Sequence, residues 1–300
     1  MIRPIELHGH RGARGLFPEN TRAGFAGALA IGVDALELDV AVTADNAVVV
    51  THDARLNPDI TRTSDGVWLP AAGPFVRSLR VAALADYDVG RLRPNSAYAR
   101  LHPDQTPHDG ARIPRLREVF RLDPLATFNV ELKSFPDQPG MAIDGATMAD
   151  LVVAEADAAG VTHRLIVQSF DWRGPRRLHD TRPEIRLAWL TRSAILPQAR
   201  TWWDGPHPDD FGGSVPRAVA VEGGPTWAPD YLDLSEAVIA EAHALGLRVV
   251  PWTINQAADM RRLLRWGVDG LITDRPDLAR GVLAEAGLPL PPPRPSVMVD

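Results

Sequence analysis

Short apolar runs alternate along this chain with segments whose apolar residues recur at helical spacing. Runs at 5–9, 35–42, 47–52, 127–132, 165–169, 186–190, 248–253 and 270–273 read as strands. Segments 21–31, 148–159, 235–245 and 257–266 read as helices. The first helix carries its own boundary signals, Asn20 or Thr21 as a cap and Gly32 as a stop. Alternating strand and helix predicts an α/β fold with a parallel sheet, and eight strand candidates favour a barrel over an open sheet. One connection resists this picture. Only residues 41–46 or so separate the second and third strands, whereas a parallel crossover takes about a dozen residues or more. An antiparallel hairpin or a distorted crossover is expected there. A hairpin turning near Asp45-Asn46 would pair Asp39 with His52.

Two segments break the rhythm. Residues 54–113 are rich in Pro, Arg and Asp with weak periodicity, and read as an insertion after the third strand, a lid or small subdomain. Residues 192–229 carry Trp202, Trp203 and Trp227 among many Gly and Pro, and read as a long loop near the mouth of the fold. The other reading is that Trp202 and Trp203 only cover a barrel helix. The expected organisation is one barrel over 1–286, followed by a Pro-rich tail at 287–300 that is extended or disordered.

Composition narrows the class. A length of 300 residues fits one α/β barrel. Hydrophobic content of 45% and charged content of 23% are ordinary for a globular protein and allow one large core. The net charge of −6 argues against a nucleic-acid surface. No Lys/Arg run marks a membrane patch, and no stretch of ~18 apolar residues reads as a membrane span. Cysteine is absent, which excludes disulfides and thiolate chemistry. Residues 1–8 have no apolar leader core. A soluble, cytoplasmic protein is expected.

The candidate chemistry sits at strand ends. Glu37 and Asp39 stand at i and i+2, so both point to one face of their strand. Alone they could be a salt-bridge pair with arginines. Glu131-Leu132-Lys133 repeats the pattern at the end of another strand. Three such carboxylates make an oxygen-rich site suited to Mg²⁺ or Ca²⁺. Zinc is disfavoured where cysteine is absent and carboxylates dominate. His10 and His52 each end an apolar strand beside these residues, and imidazole can take or give a proton near neutral pH. Arg11 and Lys133 can neutralise phosphate charge, one as a bidentate fork and one as a point charge. A hard metal between two histidines, with arginine nearby, suits cleavage of a phosphate ester. Trp252 ends a further strand, either as core packing or as a wall of the alcohol pocket. Gln168-Ser169-Phe170 and Thr273-Asp274-Arg275-Pro276 also end strands, as supporting or loop-shaping groups. No phosphate-binding or dinucleotide glycine motif and no nucleophile elbow is present.

Taken in order, the chain resembles the glycerophosphodiester phosphodiesterase family, within the phospholipase-C-like phosphodiesterases. The resemblance runs through His10-Arg11-Gly12, Pro18-Glu19-Asn20-Thr21, Glu37-Leu38-Asp39, Thr43-Ala44-Asp45, His52-Asp53, Ile113-Pro114, Glu131-Leu132-Lys133, Ser169-Phe170, Trp252-Thr253-Ile254-Asn255 and Thr273-Asp274-Arg275-Pro276. It implies a TIM-like (β/α)₈ barrel with its site at the C-terminal ends of the strands. It implies metal ligands at Glu37, Asp39 and Glu131, acid/base histidines at His10 and His52, and Arg11 and Lys133 at the phosphate. Segment 54–113 would partly cover the site. The expected reaction is metal-dependent hydrolysis of a glycerophosphodiester to glycerol 3-phosphate and an alcohol. A lysophospholipase D-like activity is the near alternative, which an apolar groove of Trp202, Trp203 and Trp227 would favour. A non-catalytic barrel that binds phosphorylated ligands is the alternative of another class, and the intact set of histidines and carboxylates argues against it. The headgroup, the choice of Mg²⁺ or Ca²⁺, the division of labour between the histidines and the oligomeric state stay open.

Overall fold

The computed structural model describes residues 4–71 and 73–294. The chain opens with β1 (Glu6–Gly9), α1 (Arg22–Ile31), β2 (Ala35–Val42) and β3 (Val48–Val50). The following segment carries β4 (Arg62–Thr63), β5 (Tyr87–Asp88) and α2 (Ala97–Leu101), then α3 (Leu116–Val119). From there strand and helix alternate: β6 (Thr127–Leu132), α4 (Gly145–Ala159), β7 (Leu165–Ser169), α5 (Arg173–Thr181) and β8 (Arg186–Thr191). The chain continues through α6 (Ala199–Trp203), α7 (Val215–Ala220), β9 (Thr226–Pro229), α8 (Glu236–Ala244), β10 (Arg248–Val249), α9 (Ala257–Trp266), β11 (Gly270–Thr273) and α10 (Pro276–Glu285).

Eight strands form the barrel in the order β10-β9-β8-β7-β6-β2-β1-β11, each paired parallel to its neighbour. Backbone hydrogen bonds close the ring across β10 and β11: Asp269 N–H to Val249 O at 2.8 Å, and Ile272 N–H to Pro251 O at 3.0 Å. The architecture is the expected TIM-like (β/α)₈ barrel with an insertion after the third strand. Outward-facing Leu36, Leu38, Val40, Phe128, Val130 and Val167 join Phe25 and Leu29 of α1 and Met148 and Val152 of α4 in one buried core between strands and helices. The intervening positions of the same strands, Glu37, Asp39, Asn129, Glu131 and Gln168, are polar and buried. Period-two alternation thus puts an apolar face toward the helices and a polar face into the lumen.

Two expectations about the strands need correction. The third strand does not belong to the barrel. β3 pairs antiparallel with β2, Val40 opposite Val50 and Val42 opposite Val48. The loop between them is therefore one residue longer than a tight turn at Asp45-Asn46 would make it. Asn46 takes φ 58° to close it, a conformation asparagine tolerates. Asp39 consequently faces Thr51, whose N–H donates to Asp39 O at 3.0 Å, and not His52. The missing barrel strand is β9, inside the segment expected to be a loop. Its sequence, Thr226-Trp227-Ala228-Pro229, is short and ends in proline, so it showed no alternation long enough to register.

The same segment corrects the tryptophan groove. Trp203 and Trp227 are buried in the layer between strands and helices. Trp203 stacks on Trp172 with ring centroids 4.1 Å apart, and Trp227 Nε1 donates to Thr191 Oγ1 at 2.8 Å. Trp202 packs half-buried on that core. These rings fill the outer layer, as the covering role anticipates, and form no groove at the mouth.

Residues 54–113 build a satellite core. Leu56, Leu69, Val76, Leu84, Val89 and Ile113 pack on Ala41 and Val49 of the β2–β3 hairpin, so the hairpin is the base on which this segment stands. At the other end, 287–294 runs along α1, where Arg294 N–H donates to Leu29 O at 2.7 Å. The expectations for the first three residues and for 295–300 lie outside the described residues.

Candidate active site

The turn after β1 makes the first half of the site. Gly9 has no room for a side chain, since a Cβ would stand 2.1 Å from Gly12 O. Gly12 takes φ +90°, and Arg11 before it takes φ 50°. This left-handed turn aims the Arg11 N–H at Glu37 Oε2, 2.9 Å away. It also places the guanidinium against Glu19 Oε1 at 2.8 Å and Asp39 Oδ2 at 3.2 Å. Asn20, also left-handed at φ 53°, donates from Nδ2 to Asp39 Oδ2 at 2.9 Å. Thr21 then caps α1 by accepting the Gly24 N–H at 3.0 Å.

The carboxylates come from the middle of β2, and not from its end as expected, and from the end of β6. Register puts Asp39 beside Glu131, and oxygens of Glu37, Asp39 and Glu131 lie within 4.8 Å of one another, all buried. Lys133 Nζ stands 2.5 Å from Glu131 and 3.1 Å from Asp39. Burial disfavours ionised Asp39, but Lys133 and Arg11 outweigh it and hold the carboxyl well below its usual range. Burial, Asp39 and Glu131 push the Glu37 carboxyl well above its usual range. Among the described residues Glu37 is held by amide donors only, the Arg11 N–H and Gln168 Nε2 at 3.0 Å. Buried Glu37, Asp39, Glu131, Glu19 and Asp274 outnumber Arg11, Arg14 and Lys133. A hard divalent cation fits this surplus and this all-oxygen donor set.

The two histidines differ in setting. His10 is buried, and its Nδ1 lies 2.6 Å from Asp274 Oδ1. Asp274 also accepts a fork from Arg14, at 2.9 Å to each oxygen, and Asn255 Nδ2 at 2.7 Å. His10 Nε2 points toward Glu37 Oε2 at 3.9 Å. Burial pushes the His10 imidazole down to about 4; Asp274 pulls the other way, while Arg14 and Arg11 add to the effect. His52 is more open, its side chain 31% exposed, with Nδ1 2.8 Å from Asp53 Oδ1. Trp252 lies half-buried at the barrel mouth, edge-on to Phe170 at 5.5 Å. Both rings pack on Ile166, Ala188, Leu190 and Ala228. The mouth is therefore split between a charged half at β1, β2, β6 and β11 and an apolar half at β7 to β10.

Several residues of this network carry no individual role in the sequence reading. Glu19 and Asn20 lie in a motif noted there, yet their partners Arg11 and Asp39 appear only in the fold. Tyr98 had no signal at all. It reaches in from α2 of the insertion, accepts from Arg14 Nη1 at 3.0 Å and donates to Glu19.

Known proteins resemble this chain over most of its length. The Glycerophosphoryl diester phosphodiesterase family matches residues 10–278. A glycerophosphodiester phosphodiesterase of Bacillus subtilis is 29% identical over 272 residues, covering 90% of this chain and 83% of that one. Human Lysophospholipase D GDPD1 is 24% identical, covering 91% and 84%. A crystal structure of a homologue from Silicibacter pomeroyi DSS-3 superposes with a TM-score of 0.87 at 37% identity over 96% of each chain. An Oleispira antarctica phosphodiesterase, solved with the product sn-glycerol-3-phosphate, shares the fold at a TM-score of 0.69 and 19% identity, covering 94% and 97%. With the family matched across residues 10–278, nearly the whole chain, this protein belongs to the glycerophosphoryl diester phosphodiesterase family of enzymes.

Proposed function

We infer that the chain hydrolyses glycerophosphodiesters to glycerol 3-phosphate and an alcohol, with Glu37, Asp39 and Glu131 as ligands of Mg²⁺ or Ca²⁺. The observation that carries this reading is the buried carboxylate triad within 4.8 Å, flanked by His10, His52, Arg11 and Lys133. The product held by the Oleispira structure is in keeping with it. A divalent cation bound there neutralises phosphate charge and polarises a phosphate oxygen. Arg11 and Lys133 sit on the same carboxylates and add positive charge where the phosphate docks. Asp274 takes up His10 Nδ1–H, which leaves Nε2 bare to accept a proton. His10 therefore takes the proton from the attacking oxygen, either water directly or first the glycerol hydroxyl and then the water that opens the cyclic phosphate to glycerol 3-phosphate. His52, on the more open side, gives a proton to the departing alcohol as the phosphorus–oxygen bond breaks. Phe170 and Trp252 offer that alcohol an apolar wall.

With Trp203 and Trp227 in the outer layer, the groove that would favour a lysophospholipid is gone, so water-soluble diesters are the substrates proposed. Among the described residues no helix is long and apolar enough to cross a membrane; we place the reaction in the cytoplasm. Assays of glycerophosphocholine and lysophosphatidylcholine side by side, with and without EDTA, test the whole reading. Turnover of glycerophosphocholine that EDTA abolishes is expected. Faster turnover of the lysolipid would reverse the substrate assignment, and EDTA-resistant activity would remove the cation.

A further inference from the structure

The lumen below the site is polar on the side of β1, β2, β6 and β7. A barrel of this type normally fills its interior with branched apolar residues, and buried polar groups are costly unless they satisfy one another. Here they form one connected column. Gln168 Nε2 donates to Glu37 Oε1 at 3.0 Å, and Asn129 Nδ2 donates to Gln168 Oε1 at 3.1 Å. Asn129 Nδ2 also lies 3.3 Å from His8 Nδ1, and His8 Nε2 lies 3.3 Å from Glu6 Oε2. Glu6 Oε1 accepts from Arg186 and Arg248, 3.3 Å each, at the opposite, half-open end of the barrel.

The arginines can only donate, so Glu6 is an acceptor. With a neutral His8 imidazole, Glu6 Oε2 takes the Nε2 proton and Nδ1 accepts one from Asn129. The second Asn129 proton goes to Gln168 Oε1, and this turns the Gln168 amide nitrogen up toward Glu37. Asn129 Oδ1 has no hydrogen-bond partner among the described residues. A turned-over Gln168 would instead set a carbonyl against the Glu37 carboxylate. The lumen cavity beside the column measures about 10 Å³, room for about one water at most.

We propose that Asn129 and Gln168 are positioning residues, which hold Glu37 Oε1 with a donor so that the carboxylate presents its remaining lone pairs to the cation. This rests on the reading that Glu37 is a ligand. Calorimetric titration of Ca²⁺ and Mg²⁺ into wild type, Gln168→Met and Asn129→Leu, with melting curves on the same samples, tests it. The cation dissociation constant should rise about 10–100-fold in both variants. Asn129→Leu is the sharper arm, because Asn129 touches no carboxylate of the triad. Should it not fold, Asn129→Ala, which loses the same donor without filling the lumen, takes its place. Wild-type affinity in both variants overturns the column and leaves Glu37 a ligand. A wild type that binds neither cation overturns the ligand reading and the column with it.

Discussion

Asp274 decides which nitrogen of His10 is free. It accepts from His10, from both arms of Arg14 and from Asn255, so both of its oxygens must be acceptors. An amide has one acceptor oxygen. Asp274→Asn should therefore cut kcat about 10–100-fold, with KM little changed; an unchanged kcat would remove its orienting role. His10→Ala and His52→Ala should each lower kcat by ~10²–10⁴-fold. The fold should persist, because Asp274 keeps Arg14 and Asn255, and His52 lies at the mouth. Near-normal turnover with an unshifted melting curve would exclude that histidine from the chemistry. At this scale Glu131, His10 and His52 were legible because each stands at the end of an apolar run, and Glu37 and Asp39 because i, i+2 spacing within one run puts both on a single face. Glu19, Asn20 and Asp274 were legible only as motif letters, since their partners are 8 to 264 residues away.

The insertion reaches the Glu19 and Arg14 side chains through Tyr98. Tyr98→Phe removes a donor from Glu19 and an acceptor from Arg14. Loss of these two hydrogen bonds should lower kcat/KM about 3–10-fold; no change would make Tyr98 a spectator. The insertion also has its own acid sensitivity. Burial opposes ionisation of Asp88, but the Gly110 and Gly90 N–H groups and Arg62 outweigh it and lower its pKa. A depressed folded pKa means the stabilisation is complete above the unfolded value, about pH 4. It is lost as pH falls through the folded value. On acidification below about pH 4, hydrogen exchange should loosen 54–113 before the barrel strands; simultaneous loosening would contradict this. In the outer layer, Trp203→Ala removes a ring stacked on Trp172 and should cost about 3–5 kcal/mol of stability. The ranking of choline, ethanolamine and inositol diesters should stay as in wild type, and a changed ranking would restore a pocket role. β9 escaped detection for a physical reason: four residues ending in proline, set among glycines, carry too little period to separate a strand from a loop.

For the whole molecule, a cation that binds only the folded chain stabilises it by mass action. At ligand concentration one hundred times its dissociation constant the gain is about 2.7 kcal/mol, and EDTA should reverse it. Scanning calorimetry with Ca²⁺, Mg²⁺ and EDTA reads this directly. A melting temperature indifferent to all three would argue that the triad holds no cation.

What the sequence determined by itself is what short-range pattern encodes. Alternation set the α/β barrel, Asn20 or Thr21 and Gly32 marked α1, i, i+2 spacing singled out Glu37 and Asp39, and strand-end placement singled out Glu131, His10 and His52. Only the tertiary structure decided what depends on closure. Closing the ring excluded β3, admitted β9 and moved Asp39 opposite Thr51. It drew Asp274 onto His10 and buried Trp203 and Trp227 away from the mouth. It also aligned Glu6, His8, Asn129 and Gln168 beneath Glu37. Those relations join residues far apart in sequence, and register and burial are properties of the assembled sheet that no local window contains.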